Sequence, residues 1–182
     1  MGKNKNKYMK RLFIVLFLSL STLSFAQVDA FSEDVKECIK SNGTMSHFED
    51  VMQQMYTMLT VQFADANVPD TIWIEVKKGK NEAMDELVQM IVSAYTDHFT
   101  HQDVKNMNNL YTSKAGKNMF LTDALTKGDK VVLNTFYESE TGQKILGSQE
   151  SMNASMSKIS ELWKSATYRN FIAVLSDKGY NL

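Results

Sequence analysis

Proline, cysteine and glycine are scarce in this sequence of 182 residues, which has one proline, one cysteine and eight glycines. Proline and glycine are the residues that most often interrupt helices, so few interruptions are expected. No stretch of five or more residues alternates cleanly between apolar and polar side chains, as a half-buried strand would. The sequence therefore predicts an all-α fold.

The single cysteine, Cys38, cannot form a disulfide within the chain. Two functional interpretations are open for it: a reactive thiol, or a bridge to another chain. The alternative is a small buried apolar side chain on the first helix, and it is favoured because free cysteines are among the most buried residues.

Basic residues are concentrated at the amino-terminal end, where residues 1–11 include five lysines and arginines and no acid. The apolar stretch LFIVLFLSLSTLSFA follows, with small side chains at Ser24 and Ala26, the two positions that signal peptidase reads. This order is typical of a bacterial secretory signal peptide. We expect residues 1–26 to be removed, leaving a periplasmic or secreted protein.

The apolar stretch of about 14 residues is shorter than the roughly 20 that cross a bilayer, so a cleaved signal is favoured over a membrane anchor. No later segment predicts a membrane span. Once residues 1–26 are removed, the chain keeps 15 of its 20 basic side chains against 21 acidic ones, a net charge of −6. Because neutralising phosphates supplies most of the affinity for nucleic acid, no nucleic-acid partner is expected.

Apolar residues at helical spacing mark the elements that follow. The predicted features are a helix over 32–40 that stops at Asn42-Gly43, a helix over 46–64, a turn at Val68-Pro69-Asp70, a break near Lys78-Gly79 and a new helix from Thr100. The last element is the longest, and its apolar seam is formed by Ile145, Met152, Met156, Ile159 and Trp163. This seam could pack along a partner helix.

After Trp163 the apolar residues of the last element recur less regularly, and the element is predicted to end at Gly179. The predicted organisation is a signal at 1–26, an amino-terminal helix at 27–44, a helical domain at 45–165, and a separate helix or tail at 166–182.

A short motif occurs twice, as LYTSKAGKNM at 110–119 and as FYESETGQKI at 136–145. Aligning the two copies extends the similarity upstream, where Asp103 matches Asp129. The other matching residues are Asn108 and Asn134, Tyr111 and Tyr137, Ser113 and Ser139, and Gly116 and Gly142. Two copies of one supersecondary unit are therefore predicted.

Each copy predicts an α/α corner. The serine is placed to cap the second helix, because its hydroxyl can accept a hydrogen bond from an amide two or three residues on. The glycine allows the two helices to approach closely, and the tyrosine ring can be buried against both. We interpret the motif as architecture, within a compact bundle of about five to seven helices that has one or two such corners.

A variant of the capping box begins the first copy. Thr100 is predicted to cap the helix, with Asp103 in the place that Glu or Gln usually takes, and Phe99 can pack back as a hydrophobic staple.

The two motifs resemble those of a bacterial extracytoplasmic family, the domain of unknown function 2059. The matching residues are Tyr95-x-x-His98-Phe99-Thr100-x-x-Asp103, then Leu110-Tyr111-x-Ser113-x-x-Gly116-Lys117, and again Phe136-Tyr137-x-Ser139-x-x-Gly142. The resemblance spans about residues 45–165 and implies an all-helical fold outside the cytoplasm. It brings no known activity. The family has proline after the serine, where this chain has Lys114 and Glu140.

Two clusters invite a metal interpretation. His98 and His101 lie near acidic residues, but a cap at Thr100 would place one histidine before the helix and the other in its first turn, so a solvated helix start is favoured. Met52, Met55 and Met58 could bind Cu(I), but the first two share a face with apolar residues and are better assigned to the core. We assign no metal, cofactor or catalytic residue.

Three functions stay open. Methionine and aromatic residues on helix faces favour a non-enzymatic module that binds a partner protein or an apolar ligand. The first alternative is a cell-envelope hydrolase acting on peptidoglycan or peptide, with His98, His101 or the carboxylates of Glu82, Asp85 and Glu86 as candidates. The other is a self-associating structural protein, a homo-oligomer that buries the seam of the last helix.

The mature protein is expected to begin at Gln27. Intact-mass measurement of protein from the extracytoplasmic fraction should show a chain that lacks residues 1–26. A chain that retains those residues would contradict the assignment of a cleaved signal.

Overall fold

Helices make up nearly all of the computed structural model, which describes residues 30–121 and 124–181. The helices are α1 over 30–41, α2 Thr44–Gln62, α3 Asp70–Lys78, α4 Lys80–His98, α5 His101–Thr112, α6 Lys114–Met119, α7 Lys127–Glu138 and α8 Glu140–Asp177, with a 3₁₀ turn at Ala64–Ala66. No strand occurs in these two ranges, and the predicted all-α class is confirmed. The predicted signal at 1–26 lies outside the described residues.

Two glycines in the left-handed region end helices. Gly43 (φ 84°) separates α1 from α2, and Gly179 (φ 89°) follows α8. After α8, the N–H of Gly179 donates to the carbonyl of Ser176 and the N–H of Tyr180 to that of Leu175. This pair of bonds is the Schellman motif. The boundaries predicted for the first two helices lie within two residues of those observed.

The core lies where α2, α4 and α8 meet. The indole N–H of Trp163 donates to the carbonyl of Ala83 at 2.7 Å, which joins α8 to α4. Phe48 of α2 meets the edge of Trp163 with ring centroids 5.2 Å apart. Further along both helices, Tyr56 stacks on Phe171 with centroids 4.9 Å apart. Helices α2 and α8 therefore run side by side in the same direction.

Helix α8 continues without a break through residues predicted to form a separate helix or tail. From residue 159 onward its buried residues follow one another at a spacing of four: Ile159, Trp163, Thr167, Phe171 and Leu175. Thr167 is polar yet buried. It therefore interrupts the apolar pattern of the sequence, although the buried face of the helix continues through it. The seam predicted to face a partner helix is covered at Ile159 and Trp163 by the chain's own core.

Helix α1 packs into the same core. Val35, Cys38 and Ile39 have no exposed surface. The carboxylate of Asp34 lies 2.6 Å from Nε2 of His101, and its backbone carbonyl accepts a hydrogen bond from the Asn108 side chain at 2.8 Å. These contacts join α1 to α5.

Among the described helices, none combines the length and the apolar character needed to cross a membrane.

Candidate functional site

The two predicted corners have the same cap. The hydroxyl of Ser113 accepts a hydrogen bond from the N–H of Gly116 at 3.0 Å, at the start of α6. The hydroxyl of Ser139 accepts one from the N–H of Gly142 at 3.2 Å, at the start of α8. Each serine thus satisfies an amide that has no partner within its helix.

The glycine of each corner lies against the backbone of the preceding helix. A Cβ at Gly116 would lie 2.0 Å from the carbonyl oxygen of Leu110, and a Cβ at Gly142 would lie 2.2 Å from that of Phe136. These carbonyl groups belong to the helix backbone, so they cannot move aside as the end of a flexible side chain can. Both corners therefore require glycine for the close approach of two helices.

The tyrosines of the two motifs are half-buried. The ring of Tyr111 packs between the main core and a smaller cluster around Leu110 and Leu133. Burial raises the pKa of Tyr111. The hydroxyl of Tyr137 lies 3.9 Å from the sulfur of Met119 and donates to it. Both rings contact neighbouring helices, and neither tyrosine lines the grooves described below.

Two capping boxes precede the corners. Thr100 and Asp103 bond to each other's backbone amides at the start of α5, and Thr126 and Asp129 do the same at the start of α7. The second capping box, at Thr126 and Asp129, was not predicted from the sequence. The alignment that pairs Asp103 with Asp129 also pairs Thr100 with Thr126, so the comparison of the two copies contained the signal.

Each copy also supplies a donor to the capping aspartate of the other copy. The amide of Asn118, on α6, donates to Asp129 at 3.0 Å. Lys144, on α8, forms a salt bridge with Asp103. Asn118 and Lys144 occupy equivalent positions in the two aligned copies. The two copies are therefore joined reciprocally, as expected for units related by an approximate twofold axis.

Of the two capping aspartates, Asp103 accepts more hydrogen bonds, and its residue is only 4% exposed. Burial alone would raise its pKa, but hydrogen bonds from Lys144, Thr100 and Thr141 outweigh that effect, and the pKa lies well below its usual range. At Asp129, hydrogen bonds from Asn118 and Thr126 likewise lower the pKa. Both carboxylates are thus held ionised as structural acceptors.

Cys38 is buried beside Tyr95, with its sulfur 3.8 Å from the tyrosine oxygen. Burial raises the pKa of its thiol to about 12. The thiolate is the reactive form of cysteine, so this environment opposes a reactive thiol and, with no exposed surface at the residue, a bridge to another chain.

The residues considered for metal binding do not come together. His101 pairs with Asp34, whereas His98 lies at the end of α4. No group of three histidine, cysteine or acidic side chains within residues 30–121 and 124–181 has a metal-binding arrangement. Met52 and Met55 are buried in the core, whereas Met58 is 51% exposed.

The three carboxylates of Glu82, Asp85 and Glu86 are exposed on α4. Asp85 and Glu86 lie on a solvated face, which is the common position for acidic residues on a surface helix. Glu82 also lines a depression of about 270 Å³ between α4 and α8.

A surface groove lies between α2 and α8, with a volume of about 520 Å³. Its lining consists of Val51, Gln54, Met55, Met58, Lys164, Ser165 and Tyr168. We call it the apolar groove, because Lys164 is its only charged residue. The contribution of α8 to this groove was not predicted from the sequence, because no local pattern shows that two segments so far apart in the chain meet.

A second depression, of about 640 Å³, adjoins the apolar groove at Lys164. Polar residues from both helices line it, among them Asn42, His47, Asn153, Ser157 and Ser160. We call it the polar cavity.

Residues 85–120 match the family model described as "Uncharacterized protein conserved in bacteria (DUF2059)". This segment contains most of α4 and all of α5 together with the first motif, so the predicted resemblance is confirmed there. The matched range is shorter than the predicted 45–165, and the second motif lies outside it. No curated protein and no solved structure shows significant similarity to the chain.

Substitution of either corner glycine by alanine should destabilise the fold. Gly116→Ala and Gly142→Ala each force a backbone shift, with an expected loss of about 2–4 kcal/mol in the free energy of unfolding. Gly147→Ala is the matched control on α8, because a Cβ there meets nothing within 4 Å. It should stabilise the helix by about 0.5–1 kcal/mol. Equal effects of all three variants in urea unfolding would refute the close approach.

Asp103→Asn should reduce stability most at neutral pH, by about 1–3 kcal/mol, because it removes the charge that accepts four hydrogen bonds. The pKa of Asp103 is lower in the folded chain than in the unfolded chain. Its contribution is therefore complete above the unfolded value of about 3.9 and is lost as the pH falls toward the folded value.

Urea unfolding at pH 7 and at pH 3 measures this dependence, with Glu161→Gln on the exposed face of α8 as the control. The difference between the wild type and Asp103→Asn should shrink at pH 3. A difference that is independent of pH would show that the charge of Asp103 has no part in stability.

Proposed function

We propose that this chain is a non-enzymatic binding protein that acts outside the bacterial cytoplasm and holds an apolar ligand in the apolar groove between α2 and α8. The signal-like order of residues 1–26 supports the location, and the groove supports the activity.

The main support for the proposal is the lining of the apolar groove. Val51, Met58 and Tyr168 present apolar surface to solvent beside the buried Met55, and the volume of about 520 Å³ falls within the range of about 300–1,000 Å³ typical of small-ligand sites. Met58 is 51% exposed although it lies beside core methionines. Methionine side chains adapt their shape to bound apolar groups, which suits a ligand site.

The distribution of acidic residues supports binding over hydrolysis. A hydrolase needs a carboxylate or histidine with a shifted pKa in a concave site. Here the carboxylates with the clearest structural partners, Asp103 and Asp129, cap α5 and α7. Among the described residues, the lining of the apolar groove contains neither a carboxylate nor a histidine, and His47 lines the adjoining polar cavity.

The burial of α8 gives less support to a self-associating structural protein. That function would use the seam from Ile145 to Trp163 between copies. Ile159 and Trp163 are buried within the chain, and Ile145, Met152 and Met156 are partly buried against the same core. The seam is therefore used at least in part for packing within the chain.

A neutral fluorescent dye, N-phenyl-1-naphthylamine, tests the proposal. The protein should bind it saturably with increased fluorescence. Met58→Gln should weaken binding about five- to tenfold, because part of the apolar contact of one methionine is lost. Val61→Gln is the matched control, since Val61 is 71% exposed on α2 and does not line the groove. Absence of saturable binding, or equal effects of both substitutions, would contradict the proposal.

A further inference from the structure

The apolar groove and the polar cavity adjoin at Lys164, and we call the two together the α2/α8 cleft. Lys164 lines both parts, and the pairs Phe48–Trp163 and Tyr56–Phe171 show that α2 and α8 run alongside each other past it. From Gly43 to Met58 the cleft follows α2 for about 22 Å, at a rise of about 1.5 Å per residue. The lining changes from polar to apolar at Lys164, so an occupant with a polar group at this junction and an apolar chain in the apolar groove would fit the cleft.

The charged side chains around Lys164, where the two parts of the cleft meet, indicate which charge the polar group of a bound molecule would carry. Lys164 is exposed and forms no salt bridge within the described residues. The linings of both depressions contain no carboxylate, although acidic residues outnumber basic ones in the sequence. An anion placed at Lys164 would therefore meet a cation, and the acid nearest along the helix, Glu161, lies one turn earlier on α8 and lines neither part of the cleft.

The other side chains of the polar cavity fit a small anionic group. Ser160 and Ser157 lie about one and two turns before Lys164 on the same helix, and their hydroxyl groups can donate hydrogen bonds to such a group. One lysine compensates one negative charge. A headgroup with a single charge, such as a carboxylate, matches this set better than a doubly charged phosphate monoester.

We infer that the α2/α8 cleft binds a single-chain anionic amphiphile of the fatty-acid class, with its alkyl chain in the apolar groove and its carboxylate at Lys164. This inference rests on the proposed function, because the alkyl chain occupies the same groove.

Displacement of N-phenyl-1-naphthylamine by three ligands of equal chain length tests the inference. The ligands are laurate, dodecanol and dodecyltrimethylammonium, each used below the concentration at which micelles form. Laurate should displace the dye at a concentration about five- to tenfold lower than dodecanol, because only laurate forms a charge-assisted hydrogen bond with Lys164. The cationic ligand should be the weakest.

Two substitutions of Lys164 and one control separate charge from other effects. Lys164→Gln should remove the advantage of laurate over dodecanol, and Lys164→Arg should keep it. Lys158→Gln, on the side of α8 that faces α4, should leave both ligands unchanged, because Lys158 lines neither part of the cleft.

The outcomes distinguish this inference from the proposed function. If the dye binds and laurate is no better than dodecanol, the inference fails while the proposed function stands. If the dye does not bind at all, the proposed function fails. A protein that cosediments with anionic phospholipid vesicles through Lys164 and ignores laurate would bind a membrane surface, which also overturns the inference.

Discussion

The close backbone contact at Gly142 determines where α8 starts and in which direction it runs. With no side chain at this position, the first turn of α8 packs directly on the carbonyl of Phe136, and Ser139 caps the amide of Gly142, which has no partner within the helix. Every later contact of α8 depends on that direction. Because α8 contacts α3, α4, α5 and α7 and packs its aromatic residues on α2, this one corner positions most of the bundle.

The salt bridge between Lys144 and Asp103 extends the same constraint to α5. It lies close to Gly142 on α8 and joins the second motif to the capping box of the first. Burying an ionised carboxylate is costly unless it is paired with a cation and hydrogen-bonded, and Asp103 has both a salt bridge and hydrogen bonds. The duplicated sequence is thus a pair of units that stabilise each other. The tyrosine, serine and glycine therefore recur as parts of the two corners.

Local features could be predicted from the sequence because their signals are local. The cap at Thr100, the positive φ of Gly43 and the break at Gly79 each depend on a few neighbouring residues. Thr167 shows where local inference fails, since a buried threonine looks the same in sequence as an exposed one. The apolar groove could not be predicted at all, because it exists only where Met58 and Tyr168 lie on adjacent helices.

The central claim is that this groove is a ligand site, and the methyl groups of the chain's 12 methionines report on it directly. With ¹³C-methyl methionine, a neutral apolar ligand should shift the NMR resonances of Met55 and Met58 in a saturable way. The resonance of Met107, which is buried in the core and does not line the groove, should stay in place. Saturable shifts at Met107 without shifts at Met58 would contradict the account.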